Sequence, residues 1–123
     1  MAGVASVTER PATDEESETM KRMSYVDFAA QREALGLRLI DVREADEFKA
    51  VRVKGAELFP LSRIQYGELP AADERPVALI CRSGGRSAMA AMILESNGFA
   101  EMINVEGGTL AALQAGEDHV ERG

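Results

Sequence analysis

Apolar and polar positions along the chain form blocks that predict strands and helices in turn. Ser24 is a candidate N-cap, and the apolar residues after it recur at helical spacing as far as Gly36. Short apolar runs predict buried strands at residues 37–42, 55–59, 77–80 and 102–105. Further helices are predicted at 44–50, 61–69, 86–97 and 109–114, the last capped by Thr109. This alternation predicts an α/β fold, with a central, mostly parallel sheet flanked by helices on both faces.

Two of these elements matter most for the core. The run Val77–Ile80 lies between a proline and a glycine-containing loop, which favours a central strand. The helix at 86–97 is apolar on nearly all sides, which predicts burial on more than one face. Its methionines, Met89 and Met92, are therefore expected to fill space in the core.

The two ends of the chain differ in character from its middle. Residues 1–22 are small, polar and charged and lack apolar periodicity, so we expect a flexible N-terminal tail. The folded domain is predicted to span residues 23–116, and residues 117–123 are predicted to form a C-terminal tail. His119 lies in that second tail and is expected to be solvated.

Composition narrows the function classes. The chain has 123 residues, with 21 acidic and 14 basic side chains and a net charge of -7, which argues against electrostatic binding to nucleic acid or an anionic membrane. Its longest apolar run is seven residues, whereas a membrane span needs about 20. One cysteine and one histidine argue against an internal disulfide and against a metal site. A lone free thiol favours a reducing cytoplasm.

The candidate chemistry follows the predicted central strand, which ends just before Cys81. Ligands of parallel sheets bind at the carboxyl ends of strands. Gly84 and Gly85 allow successive backbone N–H groups to face an anion, and Arg82 and Arg86 add positive charge. These features predict a low thiol pKa and a reactive thiolate within reach of solvent. The alternative is a buried structural cysteine.

Four other polar residues are candidates near this site. Ser83 and Ser87 are placed to donate hydrogen bonds to the sulfur or to a donor, although Ser87 suits an ordinary first helical turn equally well. Asp41 and Arg43 lie at and just beyond the end of the strand at 37–42 and are candidates for lining the mouth of the site. In the structural alternative, Arg43 pairs with Glu47 and Asp41 caps the following segment.

The segment CRSGGRS at 81–87 resembles the active-site loop of rhodanese-like sulfurtransferases. Three further segments are similar to that family in the same order, namely LIDVREADEF at 39–48, VKGAELFPL at 53–61 and NVEGGTLAAL at 104–113. The resemblance implies a rhodanese-like three-layer sandwich. It departs from the family where Arg52 and Lys54 replace the usual histidine and proline, and the effect of this change on the local turn is left open.

The resemblance also implies a reaction. Cys81 would take a sulfane sulfur from a small anionic donor such as thiosulfate and pass it to cyanide or a thiol, without a cofactor or a general base. The residues implied to bind the donor are Arg82, Ser83, Gly84, Gly85, Arg86 and Ser87. Four residues separate Cys81 from Arg86, one fewer than in the phosphatase loops found on the same fold. The alternative is a persulfide carrier or relay, or a regulatory binding module, that uses a protein partner.

Overall fold

The computed structural model describes residues 20–123, in which strands and helices alternate. The strands are β1 (Met20–Ser24), β2 (Arg38–Asp41), β3 (Val51–Val53), β4 (Glu57–Leu58), β5 (Val77–Ile80), β6 (Met102–Glu106) and β7 (Val120–Arg122). The helices are α1 (Tyr25–Leu35), α2 (Ala45–Ala50), α3 (Leu61–Gln65), α4 (Gly85–Ser96) and α5 (Gly108–Ala115), and a 3-10 turn follows at Glu117–His119. Within the described residues, no helix combines the length and apolar character needed to cross a bilayer.

The middle layer is a five-stranded parallel sheet in the order β1-β6-β5-β2-β4. Strand β5 is central, and all of its residues are buried, as expected for an apolar strand covered on both faces. The register pairs Asp41 with Ile80 and Leu79 with Asn104. The carboxyl ends of β2, β5 and β6 therefore meet at one edge, where Cys81 directly follows β5.

Alternate residues of the sheet face two separate hydrophobic layers. Leu79 packs on one side with Leu94 of α4, in a layer that also includes α3. Ile80 faces the other side, with Phe28 of α1 and Ala112 of α5. The predicted three-layer α/β sandwich, with helices on both faces of a parallel sheet, is confirmed.

Local sequence explains the limits of α1. The Ser24 hydroxyl accepts a hydrogen bond from the Asp27 backbone N–H at 3.1 Å, which satisfies one of the free donors of the first turn. Gly36 ends the helix with φ at 64°, a left-handed conformation in which a Cβ would be strained. Both signals are confirmed as predicted.

The prediction that α4 is buried on more than one face is wrong. Its inner face packs on the sheet through Ala90, Ala91 and Leu94. Met89 and Met92 lie on the outer face, with 46% and 66% of their surfaces exposed, so they do not fill the core. The sheet covers one side of the helix, and an apolar sequence alone does not provide a second covering layer.

Both ends of the folded region extend beyond the predicted limits. Residues 20–22, which we had placed in the N-terminal tail, belong to edge strand β1, and this strand pairs with β6 in parallel. Residues 117–123 form the 3-10 turn and β7, which pairs antiparallel with β3 and matches Val53 with Val120. The predicted C-terminal tail is therefore corrected to an ordered segment. Residues 1–19 of the predicted N-terminal tail lie outside the described residues.

The same segment changes the interpretation of His119. Its Nδ1 atom lies 2.9 Å from the Tyr25 hydroxyl of α1, and the two rings meet edge to face with centroids 5.5 Å apart. The imidazole is half-buried rather than solvated. Arg52 of β3 lies over the Phe48 ring at 5.3 Å, so the residue that replaces the family's histidine is also packed.

We expect Gly108→Ala to be strongly destabilising because Gly108 has φ at +57° and an added Cβ would collide with the carbonyl oxygens of Cys81 and Arg82. Gly36→Ala is the matched control, because its φ is +64° and nothing lies within 4 Å of the added atom. Chemical denaturation should show a loss of about 1 kcal/mol for Gly36→Ala and of about 3 kcal/mol or more for Gly108→Ala. Equal losses would contradict the close approach of α5 to the cysteine.

Candidate active site

The candidate site is built where β5 ends and α4 begins. Cys81 is the first residue after β5, and Gly85 is the first residue of α4, so three loop residues connect them: Arg82, Ser83 and Gly84. Gly84 has φ at 125°, a conformation that favours glycine and allows the chain to turn back over the cysteine. The loop therefore places backbone N–H groups around the side chain of Cys81.

The sulfur of Cys81 receives hydrogen bonds that stabilise a thiolate. The Gly84 backbone N–H donates to Sγ at 3.0 Å, and the Ser87 hydroxyl lies 3.5 Å from it. Burial alone raises the pKa of the thiol, but hydrogen bonds from the Ser87 hydroxyl and from the backbone of Ser87, Gly84 and Ser83 outweigh burial, so the pKa lies below its ordinary value. This agrees with the predicted direction.

The position of the sulfur differs from the expectation of solvent access. Only 1% of the Cys81 surface is exposed. The residues of the loop around it, Arg82, Ser83 and Gly85, are exposed, and Gly84 is half-buried. The sulfur therefore lies beneath the loop rather than open to solvent.

Arg86 is held in an ion pair that the sequence analysis missed. Its Nη1 and Nη2 atoms donate to the two carboxylate oxygens of Glu47 on α2 at 2.8 and 2.9 Å. The hydrogen bonds from Arg86 hold the pKa of Glu47 at about 2, against burial, which acts in the opposite direction. Much of the positive charge of Arg86 is therefore neutralised, whereas Arg82 is exposed on the loop.

Asp41 and Arg43 form a buried pair beside the loop. Their exposed fractions are 0% and 3%, and the Arg43 guanidinium contacts both carboxylate oxygens of Asp41, with Nη2 to Oδ2 at 2.7 Å. Arg43 also donates to the backbone carbonyls of Val51 and Glu47. In the structural alternative Arg43 pairs with Glu47; the structure shows that contact at the Glu47 backbone carbonyl, while the Glu47 carboxylate binds Arg86. Burial of both groups favours a structural role over lining the mouth of the site.

Asn104 is a second residue that the sequence analysis missed. It is a buried residue of β6, and its Oδ1 atom accepts a short hydrogen bond from the Ser87 hydroxyl. Its Nδ2 atom donates to the Gly84 carbonyl at 3.3 Å, and the Ser87 hydroxyl lies 3.1 Å from the same oxygen. Asn104 therefore contacts both residues that donate to the sulfur. The signal available in the sequence was an amide in the otherwise apolar run at 102–105.

The first turn of helix α5 holds the backbone of Cys81 in place. The N-cap of α5 is Gly107, so the prediction that Thr109 caps this helix is wrong. Instead, the backbone N–H and the hydroxyl of Thr109 both donate to the Cys81 carbonyl, at 2.9 and 3.2 Å. The Leu110 backbone N–H donates to the Arg82 carbonyl at 3.1 Å. These bonds hold the start of the loop against the helix.

The arrangement suits a nucleophilic sulfur that needs no neighbouring base. The single histidine of the chain, His119, contacts Tyr25 of α1 on the opposite face of the sheet from α4. Among residues 20–123, no group of three or more histidine, cysteine or acidic side chains is placed to hold a metal ion.

Comparison with known proteins agrees with the geometry. The Rhodanese-like domain family model matches residues 24–115. An uncharacterized protein from Synechocystis is 42% identical over 78 residues, which cover 63% of this chain and 44% of that protein. A probable adenylyltransferase/sulfurtransferase, MoeZ, from Mycobacterium tuberculosis is 39% identical over 79 residues, covering 61% of this chain and 20% of MoeZ. The chain thus spans less than half of the length of either relative.

A solved structure gives the same result for the fold. The crystal structure of a rhodanese-like domain protein from Staphylococcus aureus superposes with a TM-score of 0.70 at 27% sequence identity. The match covers 85% of this chain and 99% of the other. The similarity therefore extends over most of the sandwich.

Glu47→Gln is expected to weaken the fold and flatten its acid dependence. Because the pKa of Glu47 falls from 4.5 to about 2 on folding, the ion pair contributes fully above pH 4.5 and is lost as the pH falls through about 2. Chemical denaturation at pH 7 should show a loss of about 1–2 kcal/mol, since a charge-assisted bidentate pair is broken.

The control for this experiment is Glu68→Gln. Glu68 pairs with Arg63 at 2.7 Å, but both side chains are about half exposed, so its removal should change stability by less than about 0.5 kcal/mol. If Glu47→Gln behaves like this control at pH 7 and between pH 4.5 and 2, the pair with Arg86 does not hold α2 to the loop.

Proposed function

The chain belongs to the rhodanese-like domain family, and we propose that it is a sulfurtransferase that works through a persulfide on Cys81. The donor is a small anion such as thiosulfate, and the acceptor is cyanide or a thiol. The observation that carries this proposal is the hydrogen bond from the Gly84 N–H to Sγ at 3.0 Å, together with the low thiol pKa. A buried sulfur with these donors is prepared to carry negative charge.

In the first step, the Cys81 thiolate attacks the outer sulfur of thiosulfate. A new S–S bond forms at Sγ, the S–S bond of the donor breaks, and sulfite leaves with the electron pair of that bond. The negative charge of the product lies on the outer sulfur of the persulfide. The backbone N–H groups of Ser83 and Gly84 already donate to the sulfur side of the loop, and Arg82 is the exposed cation of the loop.

In the second step, the acceptor attacks the outer sulfur of the persulfide. Cyanide forms a bond to that sulfur, the Cys81 S–S bond breaks, and the thiolate returns with its electron pair while thiocyanate leaves. Charge balances in both steps without proton transfer, which suits a site without a nearby histidine. Four residues between Cys81 and Arg86 leave a smaller loop than phosphate chemistry uses, which favours sulfur over phosphoryl transfer.

One observation favours a second candidate, a persulfide carrier or relay that receives sulfur from a protein partner. Arg86 is paired with Glu47 at 2.8 Å, so the loop has less free positive charge for a small dianion than the sequence suggested. A partner protein would bring its own contacts to the exposed residues around the loop and would not depend on that charge. A regulatory binding module is less favoured because the low thiol pKa has no role in it.

A lone free thiol favours reducing surroundings, so the proposed location is the cytoplasm. The net charge of -7 does not favour nucleic acid or an anionic membrane as a partner. The proposed partners are therefore the sulfur donor, the acceptor and, in the relay version, a protein persulfide.

Incubation with thiosulfate should add one sulfur atom to the intact mass of the protein. Cys81→Ser is expected to gain none, because no other cysteine is present. Ser96→Ala, on the exposed far end of α4, is the control and should load like the unchanged protein. Loading of Cys81→Ser, or failure of the unchanged protein to load from both thiosulfate and a protein persulfide, would overturn the proposal.

Arg82→Ala is expected to raise the KM for thiosulfate by about threefold to tenfold, because the loop loses its exposed cation. Arg75→Ala is the matched control, since Arg75 precedes β5 at the opposite edge of the sheet. The effect should shrink as salt is added. An unchanged KM in Arg82→Ala, combined with efficient loading from a protein persulfide, would favour the relay.

A further inference from the structure

The hydrogen-bond network around Cys81 contains one hydroxyl, that of Ser87, which lies near more acceptors than it has protons to donate. The Ser87 hydroxyl lies 3.5 Å from Cys81 Sγ and 3.1 Å from the Gly84 carbonyl, and it is in short contact with Asn104 Oδ1. A hydroxyl has one proton to donate. The state of the sulfur and the position of this proton are therefore linked.

The chemistry of the neighbours fixes which atom of the Asn104 amide faces Ser87. The Gly84 carbonyl is an acceptor only, so the amide nitrogen of Asn104 must face it, as it does at 3.3 Å. The amide oxygen is then directed at the Ser87 hydroxyl. Between these two oxygens only the hydroxyl carries a hydrogen, so Ser87 is the donor. Its contact with Asn104 Oδ1 is shorter than its 3.1 Å contact with the Gly84 carbonyl, which makes Asn104 the favoured acceptor while the sulfur is neutral.

We propose that Asn104 is a positioning residue for the sulfur: its Oδ1 atom holds the Ser87 proton while Cys81 is a thiol, and gives it up when the sulfur becomes a thiolate. In the thiol state, the S–H group donates to Ser87. When Cys81 loses its proton to solvent, the Ser87 hydroxyl rotates and donates to the anion, because a charge-assisted hydrogen bond is stronger than a neutral one. Asn104 Oδ1 then loses its donor.

The same argument predicts the position of the Ser87 proton in the persulfide state, and this part rests on the proposed function. In a persulfide, Sγ is bonded to the second sulfur and carries neither a proton nor the negative charge, which has moved outward. The inner sulfur is then a weak acceptor, and the Ser87 proton returns to Asn104. Asn104 thereby opposes the thiolate in the resting enzyme and is satisfied again when the sulfur is loaded.

Charged groups also lie on the elements around this sulfur. They are Arg86 of α4, which interacts with Cys81 electrostatically, its partner Glu47 of α2, the pair of Asp41 and Arg43 at the end of β2, and Arg82 of the loop. None of these is changed in the variants below, so their influence is common to every protein compared. The comparison therefore isolates the Ser87 and Asn104 contacts.

The test is a double-mutant cycle in which the pH titration of the Cys81 thiol is measured for each variant. The ultraviolet absorbance of the thiolate monitors the titration, and Cys81 is the only cysteine that contributes to it. Asn104→Leu keeps the approximate shape of the side chain and removes its polar atoms, so the Gly84 carbonyl is the one oxygen of this network left to compete with the sulfur for the Ser87 proton. We expect the midpoint to fall by about one pH unit, the size of one hydrogen bond. Ser87→Ala should raise the midpoint.

In the Ser87→Ala background, Asn104→Leu should no longer lower the midpoint, since the effect acts through the hydroxyl. Asn97→Leu, at an exposed asparagine at the end of α4, is the matched control and should leave the midpoint unchanged. If Asn104→Leu does not fold, Asn104→Ala takes its place in the same cycle. Equal effects of the Asn104 change in both backgrounds, or a rise in midpoint with Ser87 present, would overturn the proposal.

This titration reads the thiol and needs no sulfur donor. A protein that shows the coupling but gains no sulfur from any donor would contradict the proposed function and leave the role of Asn104 standing. A protein that gains sulfur but shows no coupling would support the proposed function and contradict the role of Asn104.

Discussion

The hydrogen bond from the Gly84 backbone N–H to the sulfur of Cys81, at 3.0 Å, is the interaction on which the candidate site depends. It requires the loop to turn back over the end of β5, and the positive φ of Gly84 makes that turn possible. It also requires the cysteine backbone to stay fixed, which the two bonds from Thr109 to the Cys81 carbonyl provide. The same loop that buries the sulfur supplies the donors that burial would otherwise remove.

Charge at the carboxyl edge is organised mainly in pairs. Asp41 binds Arg43 within a buried turn, and Glu47 binds Arg86 across the gap between α2 and α4. These pairs hold α2 against the loop. Because these arginines are paired, they attract an incoming anion less strongly. The backbone N–H groups and Arg82 must therefore supply more of the attraction. The backbone N–H groups of the loop thus contribute more to stabilising an anion here than the net charge of the side chains does.

The elements and the loop were predictable because their signals are local. An apolar strand, a cysteine at its end and a glycine-rich turn are adjacent in sequence, and Ser24 and Gly36 mark the ends of α1 within a few residues. Glu47 and Asn104 were missed because their partners, Arg86 and Ser87, are 39 and 17 residues away. Their roles appear only once the register of β5 against β6 and the position of α2 are known.

The errors have a related cause. Strand β7 is short and mixed in character, and it is ordered through its pairing with β3, which no local pattern reveals. An apolar helix sequence also does not tell how many of its sides are covered. Met89 and Met92 face outward, whereas Cys81 is 1% exposed. An oxidant in solution therefore meets these thioethers before it meets the thiol, and sulfoxides formed there would make the outer face of α4 more polar.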